Sequence, residues 1–168
     1  MIILGLDPGI AILGYGIVKK ENHKLKAIDY GTIETSKDLE EPQRLLSLAN
    51  SLEKLIDMYK PDVVAVEELF FNKNVKTAIT VAQARGVILM VILKKGVKLH
   101  EYTPLQIKQG VVGYGRATKP QVQTMVKTLL NLEKIPRPDD AADGLAIAIC
   151  HNNFSAMNVV AQKGGWSR

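Results

Sequence analysis

Between Ile2 and Glu34 three strand-like runs follow one another with only tight connections between them, and this spacing constrains the fold more than any other feature. Ile2 to Leu6 is an apolar run stopped by Pro8-Gly9 and reads as a buried strand. Gly14 to Lys19 and Leu25 to Glu34 read as two more, with a turn at Glu21-Asn22 between them. Strands this close cannot be joined by helical crossovers, so an antiparallel meander is expected. After it the pattern changes. Pro42 to Tyr59 places Leu45, Leu48, Leu52, Leu55, Ile56 and Tyr59 at helical spacing, with Pro42 suited to the first turn. Pro61 ends that helix, and Asp62 to Val66 reads as a fully buried strand ending at Glu67.

A second helix is expected from Val75 to Lys95. Its interior is apolar almost all round, which predicts a central place in the core, and Gly96 stops it. Val97 to Tyr102 is a fifth strand, followed by a short helix from Pro104 to Gln109. Gly110 to Arg116 reads as a glycine-punctuated loop. Thr118 caps a helix over Lys119 to Leu130, and a last helix begins near Asp139 and runs through Ile149. The expected class is α/β: a five-stranded mixed sheet, three antiparallel strands and then parallel ones, flanked by helices. Residues 1–152 are expected to form one domain, with 153–168 a polar, disordered tail frayed at Gly164-Gly165.

Apolar residues make up 46% of the 168 and charged residues 23%, which excludes general disorder. The longest apolar stretch, Gly86 to Leu93, is far short of the roughly 20 residues of a membrane-spanning helix. The opening Met1-Ile2-Ile3-Leu4-Gly5 lacks the basic lead of a secretory signal, and Cys150 stands alone, so a cytoplasmic protein without disulfide or structural zinc is expected. Charge is unevenly spread. Residues 29–68 hold ten acids against four bases, a balance of −6, whereas 94–137 hold nine bases against Glu101 and Glu133, a balance of +7. Such a split suits a surface that meets a polyanion, or a solvated basic helix face.

The acids at the ends of apolar elements carry the chemistry. Asp7 closes the first strand and Glu67 the fourth, while Asp140 and Asp143 lie three apart at the start of the last helix and share a face. If the two strands are neighbours with the helix beside them, four carboxylates converge. Such a cluster repels itself unless cations occupy it, and an all-carboxylate site suits Mg²⁺ or Mn²⁺ better than zinc. Two ions a few ångströms apart can drive phosphodiester hydrolysis. Each acid alone also has a structural role to play: Asp7 in a turn, Asp139, Asp140 and Asp143 as first-turn charges.

The motifs resemble one family. Gly5-Leu6-Asp7-Pro8-Gly9 with Gly14-Tyr15-Gly16 resembles the start of the RuvC Holliday-junction resolvases. So do Val66-Glu67-Glu68-Leu69-Phe70-Phe71-Asn72-Lys73-Asn74, Ala82-Gln83-Ala84-Arg85-Gly86, Lys108-Gln109 with Val111-Val112-Gly113, Lys119 to Val122, and Asp140-Ala141-Ala142-Asp143-Gly144-Leu145-Ala146-Ile147-Ala148. The resemblance spans residues 1–150 in order. It implies a ribonuclease-H-like fold, a homodimer, a branch-migration helicase complex (RuvA and RuvB) as partner, and Mg²⁺-dependent, paired nicking of four-way junction DNA to leave 5′-phosphates and 3′-hydroxyls. It implies Asp7, Glu67, Asp140 and Asp143 as metal ligands, with Asp139 the helix cap. Some relatives carry a histidine where Asp140 stands.

Lys108 and Lys119 match basic positions beside the family's site, and Phe70 matches a position proposed to stack on or wedge between bases. Lys73, Lys76, Arg85 and Arg116 are further candidates for DNA contact. Arg85, in an apolar helix, needs a partner, either phosphate or an internal acid such as Glu68. Phe71 is expected in the core, Cys150 as a small packed residue, and His23, His100 and His151 show no metal-site spacing. Of three rival readings the first is rejected on length. An actin-like sugar kinase shares the strand, acid and glycine hairpin but needs two lobes, which 168 residues do not supply. A YqgF-type nuclease shares the fold, and a non-catalytic junction binder would not need four acids.

Overall fold

The computed structural model describes residues 1–22, 24–68 and 75–163, of which 75–77 and 156–163 are described by backbone alone. Strands β1 (Ile2–Asp7), β2 (Ile12–Glu21) and β3 (Lys24–Glu34) form the expected antiparallel meander, and Asn22 takes the left-handed conformation (φ 46°) of the β2–β3 turn. Helix α1 (Glu41–Tyr59) leads to β4 (Val63–Glu67), α2 (Val75–Lys94) to β5 (Lys98–Tyr102), and α3 (Pro104–Val112), α4 (Lys119–Leu129) and α5 (Asp139–Lys163) follow. The sheet order is β3-β2-β1-β4-β5, with β4 parallel to β1 and β5 parallel to β4.

Strand alternation sorts the side chains onto two faces. Leu4, Leu6, Ile17, Val64 and Val66 pack against α1 and α2, where Leu48, Leu52, Ile56, Ala84, Ile88 and Ile92 are buried. Ile3, Val18, Val63 and Ala65 face the other way, toward α3, α4 and α5. Tyr15 and Tyr59 both donate to Asp29 (3.0 and 2.7 Å), tying α1 to the antiparallel strands.

The central helix is α5, not α2. Ala141, Ala142 and every residue from Leu145 to Cys150 are at most 1% exposed, because α5 is enclosed between the sheet and α3 and α4. Helix α2 lies at the surface and leaves Ile79, Met90 and Leu93 more than half exposed. Its apolar circumference therefore does not reflect all-round burial.

Helix α5 sits on the sheet backbone to backbone. A Cβ at Gly5 would lie 2.1 Å from Gly144 O, one at Gly16 2.4 Å from Leu145 N, and one at Gly144 2.5 Å from the carbonyl carbon of Tyr15. Real side chains never approach so closely, so these positions admit glycine alone.

Three expectations are corrected. Gly110 lies inside α3, which continues to Val112; its missing Cβ lets α3 pass α5, with Cys150 Cα and Sγ 3.0 Å from where a Cβ would be, and the turn falls instead at Gly113 (φ 92°). Helix α5 continues through the expected tail to Lys163, since no glycine or proline interrupts residues 153–163. Phe154 packs against Tyr102 (5.9 Å between centroids) and Asn153 donates to Gly110 O (2.8 Å), holding its first added turn. Asp139 is the first helical residue and pairs with Arg137 rather than capping. Cys150 is buried as expected.

Replacing Gly144 or Gly16 by alanine should push α5 off the sheet. The expected loss is at least 1–3 kcal/mol, the usual cost of overpacking, read as a fall in thermal midpoint. An unchanged midpoint would mean that α5 can shift to admit the methyl.

Candidate active site

The parallel pairing of β1 with β4 puts Leu6 beside Val66, so Asp7 and Glu67 follow as the last residues of adjacent strands. Both continue the alternation of Ile3 and of Val63 and Ala65, and so project from the face that carries α5. The glycine contact then supplies the helix acids. Gly14 is the register partner of Asp7, and a Cβ on Gly14 would meet Asp140 O at 2.1 Å. Asp140 thus starts α5 directly above the neighbour of Asp7, and Asp143 follows one turn on.

These acids act on one another. Burial, then the charge of Asp143, raises Asp7 to about 6, although a hydrogen bond with Glu67 works the other way. Burial, then the charge and hydrogen bond of Asp7, raises Glu67 to about 8. Close, buried carboxyls each disfavour the charged form of the other. Asp143 is also raised, chiefly by burial and against the pull of Lys119. Lys119 Nζ donates to Asp143 Oδ2 at 2.8 Å and lies 3.9 Å from Asp139.

A cleft of about 280 Å³ opens here, lined by Glu67, Lys108, Lys119 and Asp143 over a floor of Ile107, Val122, Ala146 and Ile147. All-oxygen acidic donors facing a cleft suit a hard divalent cation by their chemistry, and Lys119 already sets one positive charge beside Asp143. Among the described residues no three acidic, histidine or cysteine side chains already form a ligand cluster.

The remaining candidates divide. Lys108 lines the cleft, and Arg116 is exposed on the α3–α4 connection. Arg85 lies on the opposite face of the sheet and is paired with Glu101 on β5, so its internal acid is Glu101, not Glu68. Lys76 is on α2. Phe70, Phe71 and Lys73 lie outside the described residues, as does His23. The exposed His100 lies in tilted contact with His151 (4.7 Å between centroids), and the buried His151 places Nδ1 2.9 Å from the Tyr102 hydroxyl. The basic segment is not one surface either. Lys94 and Lys95 pair with Glu53 and Asp57 of α1, and of the segment's bases Lys108 and Lys119 line the cleft. What a sequence reading passes over is the part played by Gly5, Gly14, Gly16 and Gly144. The available signal is that three of them interrupt strands, where glycine marks close backbone approach.

The raised acids give a pH dependence of defined sign. Carboxyls held above their unfolded values stabilise the fold while protonated, so without divalent ions stability should fall as pH rises from about 5 through 8. Asp7→Asn relieves the repulsion, and in EDTA at pH 8 it should melt higher than wild type by roughly 1–2 kcal/mol equivalent. A lower midpoint would mean that Asp7 supports the fold through contacts of its charge.

Comparison with known proteins places the chain in a family. The family model described as crossover junction endodeoxyribonuclease RuvC matches residues 3–151. The chain is 56% identical over 160 residues to the protein of that name from Ruminiclostridium cellulolyticum, covering 95% of this chain and 96% of the relative. It is 60% identical over 151 residues to the one from Alkaliphilus metalliredigens, covering 90% and 92%. Among solved structures, Thermus thermophilus RuvC superposes with a TM-score of 0.85 at 34% identity, covering 94% of this chain and 97% of that one. The same protein in complex with Holliday junction substrate gives 0.85 at 32%, covering 94% and 96%. The yeast mitochondrial resolvase Ydc2 shares the fold, with a TM-score of 0.69 at 16% identity over 96% and 83% of the two chains. A chain with strand-end acids under a glycine-seated helix, matched to these relatives along nearly its whole length, belongs to the RuvC family of crossover junction endodeoxyribonucleases.

Proposed function

We propose that this protein resolves four-way DNA junctions, nicking two symmetric strands to leave 5′-phosphates and 3′-hydroxyls. The observation that carries the reading is the meeting of Asp7, Glu67 and Asp143 around a cleft that also holds Lys108 and Lys119. A junction binder without catalysis has no use for buried acids gathered beside two lysines at one cleft. The Thermus thermophilus relative solved with Holliday junction substrate supports four-way DNA as the substrate, in preference to the other nucleic acids of a YqgF-type nuclease.

Asp7, Glu67, Asp140 and Asp143 are the proposed ligands of Mg²⁺ (or Mn²⁺), two ions per site. Bound there, such ions would stabilise the charge that builds on the phosphate and make water a better nucleophile. Asp7 and Glu67, fixed by adjacent strands, hold their oxygens still, while the glycine contact sets the height of the α5 acids above them. Lys108 and Lys119 offer positive charge to the scissile phosphate from beside the acids in the cleft. Phe70, Lys73, Lys76 and Arg116 are proposed DNA contacts by their match to the family. Arg85, paired with Glu101, would position α2 rather than touch DNA.

Paired nicking needs two sites, and a homodimer supplies them. Ile79, Gln83, Gly86, Met90 and Leu93 recur every three or four residues on the open side of α2, and Ile79, Met90 and Leu93 make an apolar stripe there that suits burial against a second copy. Cytoplasmic location and cooperation with the RuvA and RuvB branch-migration helicase belong to the same proposal. No described helix is long and apolar enough to cross a membrane.

A synthetic four-way junction and a linear duplex, each with Mg²⁺ or EDTA, test the activity. Symmetric, metal-dependent nicks on the junction alone are expected. Asp7→Asn should lose cutting by at least a thousandfold, about 4 kcal/mol of barrier, and keep junction binding. Met90→Lys should shift the protein to monomer in light scattering and abolish paired nicking; an unchanged dimer would place the interface elsewhere.

A further inference from the structure

We propose that Lys119 is a built-in counter-ion of the carboxylate site, holding Asp143 while no divalent ion is bound and swinging to a backbone phosphate once the acids are occupied. This rests on the reading of the acids as a cation site.

The position of Lys119 is the first sign. It is the first residue of α4, where the positive end of the helix dipole disfavours a cation. A lysine there needs compensation, and the structure supplies it from another element: Asp143 at 2.8 Å and Asp139 at 3.9 Å, both on α5. Its side chain is 50% exposed, against 29% for Asp143, so the lysine can leave without opening the fold whereas the acid stays in place. The two line one cleft with Glu67 and Lys108, so the ammonium stands at the rim of the acids.

The other long cations of the described residues that bridge elements behave differently. Lys94 and Lys95 close pairs between α1 and α2 away from the cleft, and Arg85 is largely enclosed beside Glu101. Lys119 alone of these joins a carboxylate that faces the cleft. The residue type fits as well. An ammonium is a compact, strongly hydrated charge on a flexible stem, able to exchange one oxygen partner for another, whereas a guanidinium fork would lock onto the carboxylate.

Two consequences follow. The lysine competes with a divalent ion for Asp143, so the free protein holds such ions more weakly than its acids alone would. A phosphate that draws Lys119 away removes that competition, and by reciprocity a divalent ion frees Lys119 for phosphate. Ion and DNA then favour each other through a residue of the protein, in addition to any direct contact between them.

The experiment is a Mn²⁺ titration of the DNA-free protein, followed by electron paramagnetic resonance, with thermal midpoints in EDTA as a check of folding. Lys119→Met should bind Mn²⁺ about tenfold more tightly than wild type, equivalent to about 1.4 kcal/mol. Lys119→Arg, which keeps the charge, should bind no more tightly than wild type. Asp7→Asn should bind more weakly than wild type by an order of magnitude or more. Unchanged or weakened binding by Lys119→Met overturns the inference, as does equal tightening in Lys119→Arg, which would trace the effect to packing. If Asp7→Asn weakens binding while Lys119→Met does nothing, the inference fails alone. Wild-type binding by Asp7→Asn would overturn the cation site and the inference with it.

Discussion

The contact between the backbone of α5 and the backbones of β1 and β2 is the constraint on which the rest of the structure depends. Where a helix meets a sheet through side chains, the two are separated by the thickness of those chains and tolerate small slips. Here Gly5, Gly14 and Gly16 face Asp140, Gly144 and Leu145 with no side chain between, and a single methyl at Gly5, Gly14, Gly16 or Gly144 would collide with main-chain atoms. The helix is thereby fixed in height and in rotation. That matters because Asp140 and Asp143 take their positions from α5 while Asp7 and Glu67 take theirs from the sheet. Any looseness between the two layers would appear directly as error in the site.

The same contact explains why α5 is buried nearly all round. Having displaced side chains on its sheet side, it is covered on the other by α3 and α4, and small residues such as Ala141, Ala142, Ala146 and Ala148 let them come close. Helices α3 and α4 then carry Lys108 and Lys119 to the cleft beside the acids. The acidic and basic walls of the cleft are consequences of one packing decision. On the far side of the sheet the ion pairs from α1 to α2 have no such geometric precision, and being exposed they contribute little to stability.

Much of this was legible in the chain. The short spacing of the first three strands dictated the meander, and the acids at the ends of Ile2–Asp7 and Val63–Glu67 declared themselves because a charged residue closing a buried strand must emerge at its end. Helix centrality was not legible. Helix α2 is apolar all round in sequence because one side packs in the core and another is left open, whereas α5 looks modest because small residues serve a tight interface better than large ones. Periodicity records hydrophobicity, not the distance of approach. Gly110 misled for a related reason, since a glycine that allows two helices to pass has the same letter as one that turns the chain. The partner of Arg85 was equally out of reach: Glu101 is sixteen residues away and meets it only because α2 packs beside β5.

A site assembled in this way holds like charges close together. Burial and mutual repulsion raise Asp7, Glu67 and Asp143, and the fold opposes that repulsion with one lysine and the rigidity of the glycine contact. Relaxing the strain by separating the acids would require α5 to rise from the sheet, which would expose the most deeply buried helix of the protein. The cost of moving apart therefore exceeds the cost of staying together, and the repulsion is available to drive the capture of positive charge. Function and stability pull against each other at these carboxylates, and the glycine contact decides the outcome by leaving the acids nowhere else to go.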